Sequence, residues 1–96
     1  MARRLIWAPE AITDLDEIVE HIAQDNEILA KQFAKQIIDQ VAMIPSFPFA
    51  GRLVPEAPDK PNVRERIYKS VRLIYRVRED SIEIYRVFHQ SRLLEF

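Results

Sequence analysis

The 96-residue chain has no cysteine, a single glycine (Gly51) and only two histidines, His21 and His89. Without cysteine there is neither a disulfide framework nor a thiolate metal site, and two histidines are too few for a structural metal centre. No metal or cofactor is therefore expected. No apolar run reaches membrane-spanning length, and the opening MARRLIW is not a signal peptide, so a cytoplasmic protein with no membrane partner is expected. There is no GxSxG elbow, phosphate-binding loop, HExxH or paired-carboxylate motif, which sets those enzyme classes aside. Internal repeats and low-complexity tracts are also missing. The length suits one domain, residues 1–96, with a single modest core.

What is present is unevenly distributed. The formal net charge is −1, but residues 1–61 hold six Lys/Arg against ten Asp/Glu, and residues 62–96 hold eight against five. An acidic half and a basic half imply two surfaces with different partners.

The basic half is built around residues 63–92, VRERIYKSVRLIYRVREDSIEIYRVFHQSR, where apolar and polar residues alternate with a period of two. That period predicts half-buried strands, with successive side chains on opposite faces. A turn at Glu79-Asp80 makes residues 71–77 and 81–89 an antiparallel hairpin, and a two- or four-residue loop gives the same register. In that register Val77 faces Ile82, Tyr75 faces Ile84 and Val71 faces Phe88, an apolar face for the core. The other face sets Arg76 against Glu83, Ile74 against Tyr85 and Arg72 against Val87, with His89 on the diagonal. Arg86 lands on the core side, which predicts a bulge, a sheet edge or a buried partner there. If residues 63–68 pair with residues 71–77, Arg64, Arg66 and Tyr68 are placed to join Arg72 on one basic face.

The first half reads as helical. Residues 3–7 suit a first strand, and Pro9 is well placed at the start of a helix. Ala11, Ile12, Leu15, Ile18, Val19 and Ile22 then recur at helical spacing. The other side of that helix, with Glu10, Asp14, Asp16, Glu17, Glu20 and Asp25, is either a solvated face or a docking surface for a basic segment. His21 lies among those carboxylates and reads as a surface residue. Asp25 or Asn26 is available to cap a second helix, which runs from about Ile28 to Met43 with an apolar stripe that includes Ile37, Ile38 and Val41. Pro45 stops it. Residues 45–61 contain five prolines and Gly51, and Phe47, Phe49, Leu53 and Val54 anchor them as an ordered loop. The predicted fold is α+β with the order β-α-α-β-β-β, a helical hairpin packed on a small antiparallel sheet.

Arg64, Arg66, Arg72 and Arg92 with Tyr68, Tyr85 and His89 make a set suited to a polyanion. The same set is a minimal kit for metal-free RNA cleavage, with cations for the phosphate and His89 for proton transfer. His89 reads equally as a hydrogen-bonded strand-end residue without chemistry, and Arg76 as the cross-strand partner of Glu83.

The ordered set APEAITDLDEIVEHIA, IPSFPFAGRLVPE, VRERIY, RLIYRV and RVFHQSR resembles the RelE/ParE superfamily of toxins from bacterial type II toxin–antitoxin systems. The resemblance covers nearly the whole chain. It implies a small cytoplasmic toxin neutralised by an antitoxin encoded beside it, whose extended C-terminal segment wraps the toxin. RelE-like and YoeB-like members cleave mRNA in the ribosomal A site without a metal, whereas ParE-like members poison DNA gyrase. By resemblance, Arg72 matches the transition-state arginine of the nucleases, Glu56 a general-base glutamate and His89 a histidine, with Arg64 and Arg66 in place of a lysine pair. A late arginine falls at Gln90 and a C-terminal tyrosine at Phe96, so the nuclease set is incomplete. The HQSR ending fits the ParE-like branch as it stands, and so does the low net charge, since ribosome-acting members are strongly basic. The reading favoured is ParE-like gyrase poisoning, with Arg64, Arg66, Arg72, His89 and Arg92 contacting the target. The alternatives are mRNA cleavage by Arg72, His89 and Glu56, and a non-toxic relative that only binds its antitoxin.

Overall fold

The computed structural model describes residues 3–90. The chain runs β1 (Arg4–Trp7), α1 (Pro9–Ala23), α2 (Glu27–Ala42), a 3-10 turn (Ile44–Ser46), β2 (Arg52–Leu53), β3 (Val63–Tyr68), β4 (Val71–Val77) and β5 (Ser81–His89). The five strands form one sheet in the order β1-β5-β4-β3-β2. Three of its four pairings are antiparallel, as the hairpin pattern predicts; β1 lies parallel to β5, with Leu5 opposite Ile82 and Trp7 opposite Ile84. The sheet is thus mixed, and its N-terminal strand flanks its C-terminal one.

The helices start where local chemistry lets them. Ala8 is extended and Pro9 follows as the first helical residue, where its missing N–H costs nothing. Asn26 caps α2, its side-chain oxygen accepting from the Leu29 amide at 3.0 Å. Both helices pack on one face of the sheet. Ala11, Ile37, Val41 and Ile44 meet Val71, Leu73, Tyr75, Val77, Ile82, Ile84 and Val87 in the main core. Ile12 and Ile38, which the helical spacing places in the apolar stripes, are instead about half exposed, at 48% and 52%. The stripe that meets the sheet is narrower than the run of apolar residues.

The opposite face is not an open basic surface. Val54, Val63, Ile74 and Phe88 form a second, smaller core there, with Tyr85 packed against it. Val54 reaches it from the proline-rich loop, where Ala57 is also buried, so the loop roofs that side of the sheet.

The β4–β5 register agrees with expectation only at its turn end. Val77 pairs with Ile82, Arg76 with Glu83 and Tyr75 with Ile84; beyond a bulge, Ile74 pairs with Arg86, Leu73 with Val87, Arg72 with Phe88 and Val71 with His89. Tyr85 is the extra residue, and every β5 residue after it is displaced by one. The expected Val71–Phe88, Ile74–Tyr85 and Arg72–Val87 pairings are therefore replaced.

All three devices expected at Arg86 occur together. The bulge precedes it, the backbone of β1 ends opposite Ile84, and Asp14 of α1 receives its guanidinium at 2.7 and 2.9 Å. The same carboxylate accepts from the Val87 amide at 3.0 Å, at the β5 edge left bare where β1 stops. Asp14 is thus 7% exposed and buried, not part of a solvated helix face. Removing it leaves a strand N–H and a guanidinium unmatched. Asp14→Ala should lower unfolding free energy by about 2–3 kcal/mol, read as a shift in urea midpoint, and Asp14→Asn, which can still accept from Val87, should cost less. Equal losses for the two variants would show that the strand-edge bond contributes nothing.

Gly51 owes its identity to a close approach. A Cβ there would lie 2.8 Å from the Glu65 carbonyl oxygen and run into the Tyr75 hydroxyl. That hydroxyl donates to the Pro48 carbonyl at 2.7 Å and accepts from the Gly51 amide at 3.2 Å, tying the loop to β4. Burial raises the Tyr75 phenol above its ordinary pKa, and the Gly51 amide and the nearby Arg64 and Arg66 charges oppose that rise. The folded state therefore holds this proton more tightly than the unfolded chain does. Its contribution to stability is complete below the ordinary tyrosine value and is lost as pH climbs through the raised one. Urea midpoints should fall above about pH 10 in the wild type and fall less steeply in Tyr75→Phe.

Candidate functional site

Paired residues in an antiparallel sheet share a face, so the β3–β4 register decides what can join Arg72. Arg64 pairs with Tyr75, Arg66 with Leu73 and Tyr68 with Val71, all of them helix-side positions. Arg72 pairs with Ile67 and Glu65 with Ile74, on the loop-covered face. The single basic face expected of Arg64, Arg66, Tyr68 and Arg72 does not form, because the two-residue turn at Lys69-Ser70 puts the two sets on opposite parity. Lys69 takes a left-handed φ of 53° to make that turn.

Arg72 is the most enclosed of the expected site residues. It is 4% exposed and donates to both Glu56 oxygens, at 2.6 and 2.7 Å, in the bidentate fork geometry that suits guanidinium and carboxylate. Its Nε also donates to Glu65 at 2.8 Å, and Arg52 binds the other oxygen of Glu65. The result is a chain of alternating charge, Arg52–Glu65–Arg72–Glu56, set against the second core. The two carboxylates, led by Glu56, which accepts the Arg72 hydrogen bonds, push the Arg72 pKa above its ordinary value, against the pull of burial. An open cavity of about 330 Å³ lies beside it, lined by Arg52, Pro55, Glu56, Arg72 and Gln90.

His89 lies elsewhere. It pairs with Val71 and is exposed on the helix side, where it lines an apolar groove of about 370 Å³ together with Ile18, His21, Ile22, Phe33 and Val71. Arg72 and His89 thus stand on opposite faces of the sheet. Arg92 lies outside the described residues. His21, expected as a plain surface residue, shares the groove with His89. Its position on α1 four residues after Glu17 was visible in the sequence, but the fold is needed to bring His89 across to it.

Arg64 and Arg66 are half-buried at the helix-side edge of β3. Arg64 donates to the Pro61 and Gly51 carbonyls at 2.8 and 3.2 Å and stacks over the Phe49 ring at 5.2 Å. Arg66 donates through Nε to Gln40 of α2 at 2.9 Å. Arg76 meets Glu83 as expected, but at 3.9 Å, a loose surface pair of little energetic weight. Among the described residues no group of three His, Asp or Glu side chains is arranged to hold a metal, and no helix is long and apolar enough to cross a membrane.

Two comparisons agree with this architecture. The family described as ParE toxin of type II toxin-antitoxin system, parDE, matches residues 5–94. A solved structure titled as a chromosomal ParDE TA system from P. aeruginosa superposes with a TM-score of 0.75 at 23% identity, covering 92% of this chain and 96% of the other. No curated protein matches the sequence.

The Arg72 network makes a stability prediction that a free, phosphate-holding arginine would not. Arg72→Ala leaves the fully buried Glu65 carboxylate with Arg52 as its remaining cation and should lower unfolding free energy by about 3 kcal/mol, read by urea denaturation. Glu56→Ala, which removes a partly exposed partner, should cost less. An Arg72→Ala midpoint within error of the wild type would show that the network is not structural.

Proposed function

The chain belongs to the ParE toxin family of type II toxin–antitoxin systems, and from that premise we propose that it arrests growth by poisoning DNA gyrase and is neutralised by a cognate antitoxin in the cytoplasm. The observation that carries the choice of target is the separation of Arg72 from His89. Metal-free mRNA cleavage needs a cation on the scissile phosphate and a proton-transfer group beside it. Here the Arg72 fork is closed on Glu56 and Glu65, and Glu56, the counterpart of a general base, is held by that same fork. His89 stands on the far face of the sheet. Arg72 is therefore assigned to the scaffold, and the target contacts to Arg64, Arg66 and the C-terminal end that includes His89 and Arg92.

The antitoxin is assigned to the groove between α1, α2 and the ends of β4 and β5. Its walls are mostly apolar, with Ile18, Ile22, Phe33 and Val71, and an amphipathic segment buries its own apolar side there. Among the described residues β1 and β2 are the outer strands of the sheet, and their edges offer backbone groups for further pairing.

Induction of the chain alone should cause filamentation, a DNA-damage response and gyrase-linked DNA breaks. Prompt loss of translation with mRNAs cut at codons would instead establish the nuclease activity. His89→Gln separates the two by residue. It should weaken toxicity only a few-fold under gyrase poisoning, where one hydrogen-bonding contact is exchanged for another, and cost roughly 100-fold in cleavage if His89 moves a proton. Co-expression with the neighbouring small open reading frame should restore growth and yield a co-purifying complex. Ile22→Glu should abolish both rescue and co-purification while the toxin remains folded and toxic; rescue that survives this change would place the antitoxin elsewhere.

A further inference from the structure

The described cations of the sheet half fall into two groups by what they bind. Arg72, Arg76, Arg78 and Arg86 each lie within 4 Å of a carboxylate. Arg64, Arg66 and Lys69 do not: among the described residues their hydrogen bonds go to neutral oxygens. Arg64 donates to the carbonyls of Pro61 and Gly51, Arg66 to the Gln40 amide oxygen, and Lys69 to the Gln36 amide oxygen at 3.0 Å. Neutral acceptors fix the positions of these groups without cancelling their charge. The strand's own carboxylate, Glu65, is turned to the opposite face and held there by Arg52 and Arg72. On the helix alongside, Asp39 is taken by Lys35 at 2.8 Å. The result is a row of positive charge along β3, uncompensated and pre-positioned.

We propose that this row, Arg64–Arg66–Lys69, binds the phosphodiester backbone of a nucleic-acid strand. Arg64 and Arg66 project on the same side two residues apart, which spaces them by roughly 6.6 Å along an extended strand, and Lys69 continues the row at the turn. A line of closely spaced cations along one strand edge suits a ligand with serially repeated anions better than it suits a folded acidic surface. Arg66 spends only its Nε on the protein, and its terminal nitrogen pair is left for the bidentate grip that guanidinium makes on phosphate. Phe49 and Tyr68 flank the row, each already covered on one side by a cation, Arg64 at 5.2 Å and Lys69 at 5.5 Å. With those ring faces occupied, the contacts are to backbone rather than to bases, so binding is insensitive to sequence. This deepens the target-contact reading of Arg64 and Arg66 by naming the ligand's chemistry, and DNA held by gyrase is one source of such a strand.

The test does not depend on toxicity. Fluorescence anisotropy of the full-length purified protein with labelled 12-nucleotide single-stranded DNA, its duplex and the RNA equivalent should show binding that weakens linearly in log–log salt plots. R64Q/R66Q/K69Q should bind at least 10-fold more weakly at low salt. Its single-strand salt slope should fall by about 2, since three phosphates are no longer neutralised and each accounts for about 0.7. R76Q/R78Q, a control that removes two cations from elsewhere on the sheet, should keep both affinity and slope, and urea melts should verify that each variant is folded. The DNA, duplex and RNA arms identify which source of backbone the row prefers. No binding by the wild type at low salt, or an unchanged slope in the triple variant, would overturn the proposal. So would displacement by poly-glutamate at equal charge, which would assign the row to an acidic protein. Loss of oligonucleotide binding with gyrase-linked breaks retained would overturn only the link to the target. Intact binding without gyrase-linked breaks would overturn only the gyrase reading.

Discussion

β5 carries one residue more than β4 between the Tyr75–Ile84 and Ile74–Arg86 pairs, and the placement of every side chain beyond that point depends on it. Because side chains alternate with a period of two, a single inserted residue exchanges the faces of all that follow. Without the bulge, Phe88 would point into the main core and Val87 away from it. With it, Val87 joins Leu73 and Val71 under the helices, and Phe88 joins Ile74 under the proline-rich loop. Arg86, at the break, stacks its guanidinium over Phe88 at 4.3 Å and still reaches round the bare edge to Asp14. That edge is bare because β1 ends opposite Ile84, and Asp14 supplies the acceptor that a longer β1 would have supplied. The bulge, the short β1 and the buried aspartate thus solve one problem, which is how to end a parallel pairing partway along a longer strand.

Periodicity made most of the fold legible. The two helices, the proline stop, a cap at Asp25 or Asn26 and the turn end of the β4–β5 hairpin follow from spacing and local chemistry, which act over a few residues. The misplacement of Arg86 in a strict alternation also pointed to the bulge region, although not to which residue is extra. Asp14 was harder to place. It sits on a helix among four other acidic residues, and only a partner 72 positions away makes it a buried acceptor. The parallel β1–β5 pairing is equally non-local, since nothing in RLIW says which strand it will join.

The candidate site was legible as a set of residue types and illegible as a geometry. Arg64, Arg66, Arg72 and His89 look like one cluster because the strands alternate in step. Whether they share a face depends on the length of the Lys69-Ser70 turn and on the bulge at Tyr85. Each of these one-residue matters moves a group to the other side of the sheet. The turn separates Arg64 and Arg66 from Arg72, and the bulge places His89 beside Val71. Glu56, at the end of the IPSFPFAGRLVPE stretch, does come to Arg72, and the contact is so complete that it closes the fork.

Burying that fork changes where the positive charge of the sheet half is expressed. An arginine enclosed by two carboxylates contributes little field outside the protein, because its partners cancel it at contact distance while the surroundings exclude solvent. Arg86 is cancelled by Asp14 in the same way, and Arg76 and Arg78 lean on Glu83. Positive charge is then expressed most fully where cations meet only neutral acceptors, and among the described residues that is the helix-side edge of β3. The Gln36 and Gln40 amides on α2 are decisive here. Glutamate at either place would hold the same side chains in the same positions and erase the charge. An amide holds the cation and leaves its field intact, so a chain of net −1 still presents one concentrated basic edge.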